Sequence, residues 1–268
     1  MRATIRVYWR LLVAGFRRQS TYRLAALGGL VANATFGLLK VAILFATVEA
    51  AGGELAGYDT GLMSSYVWLS QGLLGSVNLF GGSDMAERVK KGDVAVDFLR
   101  PVDVQGAAIV TELGQSLFAL LPRGIPSVII GALVVGMSMP DYPSAYLLGL
   151  VSVVLGIVIS SALVYLIAAS GFWLVETRGI QMLYMVVSGF FAGLFVPIAL
   201  FPGWLEAIAH ATPFPSILMY PIDVLSGRVD LSTSLQLVAA QLGWLLVIAA
   251  AGHLMTRAGR RRLEVQGG

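Results

Sequence analysis

The stretch SDMAERVKKGDVAVDFLRPVD, residues 83–103, is a densely charged island between long runs of membrane-grade hydrophobicity. Helix signals stand at both ends of its first half. Ser83 is an N-cap type; Asp84 and Glu87 complement the positive start of a helix, Lys90 and Lys91 its negative end, and Gly92 supplies a left-handed residue after it. Asp84 with Arg88 and Glu87 with Lys91 have the favourable i,i+4 order. The spacing predicts a short stiff helix over 83–93. Two readings stand: an element that a membrane chain offers to a soluble partner, or a solvated loop containing one helix.

The rest of the chain favours the first. Of its 268 residues 57% are hydrophobic and only 12% charged, against about a quarter charged in soluble proteins. Mean hydropathy is +0.81. This is the composition of an all-α polytopic membrane protein. Cysteine is absent, which excludes disulfide and thiol chemistry, and His210 and His253 lie far apart with no metal-ligand spacing. The arginines of the first twenty residues argue against a signal peptide. Apolar stretches of about 20 residues predict six transmembrane helices, over 24–48, 60–81, 107–137, 142–169, 180–200 and 231–255, with a kink or a break near Arg123 from Pro122.

Charge orients them. Arg2, Arg6, Arg10, Arg17, Arg18 and Arg23 precede the first span, Arg88, Lys90, Lys91 and Arg100 sit in the island, and Arg257, Arg260, Arg261 and Arg262 follow the last. The opposite loops hold Glu49, Glu54, Asp59, Asp141, Glu206, Asp223 and Asp230 against the single Arg228. The positive-inside rule then places both termini and the island in the cytoplasm. The net charge of +3 is a topology signal and no mark of nucleic-acid binding. Residues 1–23 put arginines on one stripe and Ile5, Tyr8, Trp9, Leu12 and Phe16 on another, predicting an amphipathic helix on the inner membrane surface. It anchors the chain, braces a partner, or does both. Residues 24–268 form the six-span domain.

Between the fifth and sixth spans, residues 196–230 carry Pro197, Pro202, Pro213, Pro215 and Pro221. The segment is too apolar for a free loop and too interrupted for two crossings. Two short helices near 204–211 and 216–225, dipping into the outer leaflet as a re-entrant hairpin, satisfy both limits. A plain interfacial loop is the simpler alternative. Trp204 and Tyr220 suit the interface.

Several stretches resemble permease subunits of ATP-binding-cassette exporters of the ABC-2 type, in the subgroup linked to drug and antibiotic export. They are Lys91-Gly92-Asp93 running into Asp97-Phe98-Leu99-Arg100-Pro101-Val102-Asp103, Ser188-Gly189-Phe190-Phe191, Val196-Pro197, Phe201-Pro202-Gly203-Trp204-Leu205 and Thr212-Pro213-Phe214. The resemblance implies a cytoplasmic-membrane permease for a small amphiphilic substrate, with two ATPase copies, a second permease chain, identical or related, and the bilayer as partners. ATP and Mg would sit on the ATPase, with no cofactor on this chain. It makes residues 83–93 the coupling helix, with Asp84, Glu87, Arg88, Lys90, Lys91, Gly92, Asp93 and Arg100 facing the ATPase. It also makes the hairpin, with Pro202, Trp204, His210, Pro213 and Phe214, a cap on the exit route. A G-x-x-x-x-G-K-[ST] phosphate loop does not occur, so energy comes from a partner or a gradient.

Inside the membrane, Lys40 is an intramembrane charge and a candidate to line the route. It also lies roughly 12 Å from the outer end of its span, near enough to snorkel. Asn33 shares its face, Arg123 is placed to pair with Glu112, and Phe190, Phe191 and Phe195 are candidates for an apolar substrate. Gly189 and Gly193 form a G-x-x-x-G that permits close helix approach. A gradient-driven transporter or channel is the alternative, against which no inverted repeat or paired acidic relay is found. An intramembrane enzyme is weaker still, for want of H-E-x-x-H or paired aspartates.

Overall fold

The computed structural model describes residues 2–174 and 176–266. Met1, Val175, Gly267 and Gly268, which fall within the expected domain ranges, lie outside it, as do the side chains of Arg2 and Arg23. All regular structure among the described residues is helical. In order the helices are α1 (Arg2–Ser20), α2 (Arg23–Ala50), α3 (Thr60–Leu73), α4 (Asp84–Lys91), α5 (Val94–Phe98), α6 (Val104–Ala119), α7 (Ile125–Ile130), α8 (Ser144–Ser170), α9 (Arg178–Phe191), α10 (Gly203–His210), α11 (Met219–Leu225) and α12 (Leu231–Gln266).

Among the described residues four rods are long and apolar enough to cross a bilayer: 27–50, 104–135, 144–170 and 231–262. The second and fifth expected spans are shorter than the sequence predicts. Both α3 and α9 have 14 residues, about 21 Å at helical rise against a hydrocarbon core of about 30 Å. For α9 the reason is a glycine. Past Leu73, α3 gives way to turns with Leu74 still right-handed, whereas α9 stops where Gly193 adopts φ +75°. There Leu194 N–H bonds the Gly189 carbonyl and Gly193 N–H that of Phe190, a left-handed cap that closes the helix.

The 104–135 rod is two structures end to end. Pro122 cannot complete an α-turn, and where the sequence predicts a kink or a break the helix widens into a π-turn over Leu120–Gly124 and runs on to residue 135. Beyond it the rod pairs antiparallel with α3: Gly124 meets the Gly72 carbonyl, Gly131 the Trp68 indole, and Ser138 meets Gly61. Before it, α6 belongs to α1. A Cβ on Gly114 would collide with the Leu12 carbonyl, and one on Gly15 with that of Thr111, while Phe16 meets Phe118 edge to face at 5.2 Å. The two backbones therefore touch. Replacing Gly114 with leucine is expected to cost about 1–3 kcal/mol in overpacking and to lift α1 away. Tryptic cleavage after Arg10 and Arg17 should then rise several-fold while membrane insertion persists.

The long helices α8 and α12 run parallel. The Gln241 amide is fully buried between them; it accepts from the Ser152 hydroxyl at 2.8 Å and donates to the Ser152 and Ser216 carbonyls at 3.0 and 2.8 Å. Near their far ends Tyr165 Oη meets Thr256 Oγ1 at 2.6 Å. The Ser216 contact comes from the segment joining α10 and α11, whose Ile217 carbonyl also abuts Gly156. The two short helices expected in 196–230 are present, with Phe214–Ser216 as a 3-10 turn between them. On the end of the bundle rich in acidic residues, Arg228 pairs with Asp223 at 2.7 Å and stands over the Tyr58 ring at 4.9 Å.

Candidate functional site

The island folds as its capping residues dictate. Ser83 Oγ accepts from Ala86 N–H at 3.3 Å, and Gly92 at φ +79° ends α4. Its apolar face, Met85 and Val89, enters a socket with Val94, Val104, Tyr165, Ala168 and Ala169. The helix thereby seats on the end of α8. Its charged residues then reach three separate elements. Asp84 holds both guanidinium nitrogens of Arg18 in α1. Arg88 Nε donates to Asp97 Oδ2 at 2.7 Å, and that bond holds the guanidinium above its ordinary range. Lys90 Nζ donates at 2.8 Å to Glu176, between α8 and α9, and holds that carboxyl below its usual value.

The expected Asp84–Arg88 pair is therefore not formed, because each residue has a partner of better geometry outside the helix. Glu87 and Lys91 do pair, at 3.3 Å, and both remain exposed. Asp93 offers its carbonyl to Arg88 at 3.4 Å, and Arg100 meets Asp97 at 3.4 Å. Beside α4 lies a cleft of about 400 Å³ between α1, the island and α6, lined by Leu11, Arg88, Asp97, Ala108 and Glu112 among others.

A second polar group lies inside the bundle. Lys40 Nζ donates to Tyr66 Oη at 3.1 Å, to Ser70 Oγ at 3.5 Å and to the Leu194 carbonyl at 2.6 Å. Tyr66 Oη in turn donates to the Gly193 carbonyl at 2.7 Å. An ammonium has three donors, and all three are used. The ammonium thus satisfies the irregular backbone where α9 stops. Asn33 Nδ2 donates to the Gln71 carbonyl at 2.9 Å and is buried. Both residues tie helices together. Glu112 accepts from Asn78 at 3.0 Å in place of the expected Arg123, and Arg123 lies against Gly29 and Gly75.

The aromatic candidates divide. Phe190 stacks on Phe201 at 4.9 Å and meets Phe191 edge to face at 5.4 Å, whereas Phe195 lies over Gly189 and stays exposed. In the hairpin Pro202 precedes α10, Trp204 is exposed, His210 stacks on Tyr220, Pro213 opens the 3-10 turn and Phe214 packs on Tyr184.

The sequence matches the family described as ABC-2 family transporter protein over residues 32–267. The chain belongs to that family. No curated protein matches it. An ABC-2 chain is a membrane transport subunit of an ABC transporter, working in the bilayer with an ABC ATPase. In this ABC-2 chain α1 precedes the matched segment. Its contacts with α6 and α4 were missed by sequence reasoning; only Gly15, Gly106 and Gly114 signalled them, in a chain with 31 glycines.

Proposed function

We propose that this chain is the permease of an ATP-driven exporter of the cytoplasmic membrane, moving a small amphiphile outward by alternating access. Two permease chains, identical or related, work with two ATPase copies that hold ATP and Mg. The chain crosses the membrane six times with both termini cytoplasmic, α3 and α9 being shortened crossings completed by irregular backbone. Helix α4 is the coupling helix. The observation that carries the reading is its three-way attachment: apolar to α8, ionic to α1 and ionic to the α8–α9 link. A push on α4 is therefore passed directly to α1, to α8 and to the link that leads into α9.

Glu87, Lys91 and Gly92 are left on the free face for the ATPase. Phe190 and Phe195 border the route, Lys40 and Asn33 fix its walls, and the re-entrant hairpin 196–230 caps its exit. The reach of the Ser216 and Ile217 carbonyls to the middle of α8 and α12 supports that depth.

The test is a pull-down from native membranes in mild detergent, with native mass spectrometry of what is retained. Wild-type chain should bring two ATPase copies and a second permease. Glu87→Arg, which repeats the positive sign of its neighbours, should reduce ATPase recovery at least tenfold with the permease pair intact. A permease recovered without any nucleotide-binding subunit, even after crosslinking through α4, would establish the gradient-driven alternative.

A further inference from the structure

Where the last span leaves the bundle, a cavity of about 210 Å³ lies between α12 and the segment joining α5 to α6. Arg100, His253, Arg257 and Arg260 line it, with Phe98 as a wall and Asp103 as its acid. Asp103 is already committed, accepting from Gly106 N–H at the start of α6 at 2.7 Å. Arg260 stands over the Phe98 ring at 5.7 Å. Arg257 makes no ion pair among the described residues. Arg100 reaches Asp97 at 3.4 Å, which leaves Arg257 as the guanidinium on which the site turns. With three arginines to one carboxylate the lining is cationic, and a guanidinium fork fits the two non-bridging oxygens of a phosphodiester.

The helix carries a second feature on the same side. At helical spacing His253, Arg257 and Arg260 share one stripe, and the same stripe continues toward the bundle centre as Leu246 and Leu242, 72% and 47% exposed. Cationic groups thus stand at the end of an uncovered apolar track. Arg262 falls on the opposite side of the helix. A positive-inside signal alone requires neither a cavity nor this alignment.

We propose that this cavity binds the phosphodiester of an anionic phospholipid from the leaflet at the basic end, with an acyl chain along Leu246 and Leu242. Basic pockets at that membrane boundary are where such headgroups dock. The bound phosphate bridges α12 to the residues between α5 and α6, so an anionic lipid holds the island's exit against the last span. The site belongs to the permease chain alone and does not depend on the exporter reading.

The experiment is native mass spectrometry of the purified chain with equal amounts of dioleoyl phosphatidylglycerol and dioleoyl phosphatidylcholine. Wild-type chain is expected to retain the anionic lipid more than tenfold over the neutral one, with about fivefold lost per arginine removed. Arg257→Gln with Arg260→Gln should abolish the preference and Arg262→Gln leave it unchanged. If the double variant fails to fold, Arg257→Gln alone should show the single-arginine loss. Equal retention of the two lipids overturns the proposal, as does an Arg262→Gln loss matching the double variant, which marks diffuse charge attraction. Displacement of the lipid by millimolar inorganic phosphate or glycerol phosphate also overturns it, in favour of a soluble phosphate ligand.

Discussion

Proline in place of Gly92 is expected to bring transport down to the background of vesicles lacking the chain, with normal amounts still inserted in the membrane. Proline fixes φ near −65°, whereas residue 92 sits at +79° and its N–H bonds the Val89 carbonyl. The chain then leaves α4 in the wrong direction. Val94 no longer joins Met85 and Val89 in the socket, and Asp97 is drawn from Arg88. Gly92→Ala, which meets only the left-handed penalty of about 1–2 kcal/mol, should retain partial activity. Transport assays on both, with ATPase stimulation measured alongside, decide the matter. Wild-type rates in the proline variant would remove α4 from the coupling path.

The second large effect is expected at Lys40. Methionine has similar length but no donor, so Lys40→Met leaves the Leu194 carbonyl without its partner inside the bundle. Tyr66 Oη and Ser70 Oγ also each lose a donor. A buried polar group left unsatisfied costs about 1–3 kcal/mol. The melting temperature in detergent should fall by about 5 °C or more, and transport by more than tenfold. Lys40→Arg keeps donors in a bulkier head and should recover part of both. An unchanged melting temperature would mean that α9 ends without help from Lys40.

The features legible in the sequence were those written in local chemistry. Ser83 and Gly92 marked the ends of α4 because capping depends on the residue at the position itself. Pro122 marked the π-turn, and the prolines of 196–230 marked two short helices. The family was legible through the order of these features as well as through short stretches. What escaped was decided by residues distant in the chain. Asp84 prefers Arg18 to its helical neighbour Arg88, and no spacing rule weighs a partner 66 residues away. The early end of α9 depends on which of many glycines takes positive φ. Lys40 stood out as a charge in a span, but its role is set by acceptors on α3 and beyond α9, which hydropathy does not record.

The Gln241 amide has a mechanical meaning. By bonding α12 to α8 and both to the turn between α10 and α11, it makes those elements one block. The turn between α10 and α11 cannot swing aside as an independent flap without breaking buried amide bonds. The glycine cap of α9 leans on the same block, for Gly193 lies against Met219 of α11 and against Ile198. Two carbonyl contacts, Leu194 to Lys40 and Gly193 to Tyr66, then tie that cap, and the block with it, to α2 and α3.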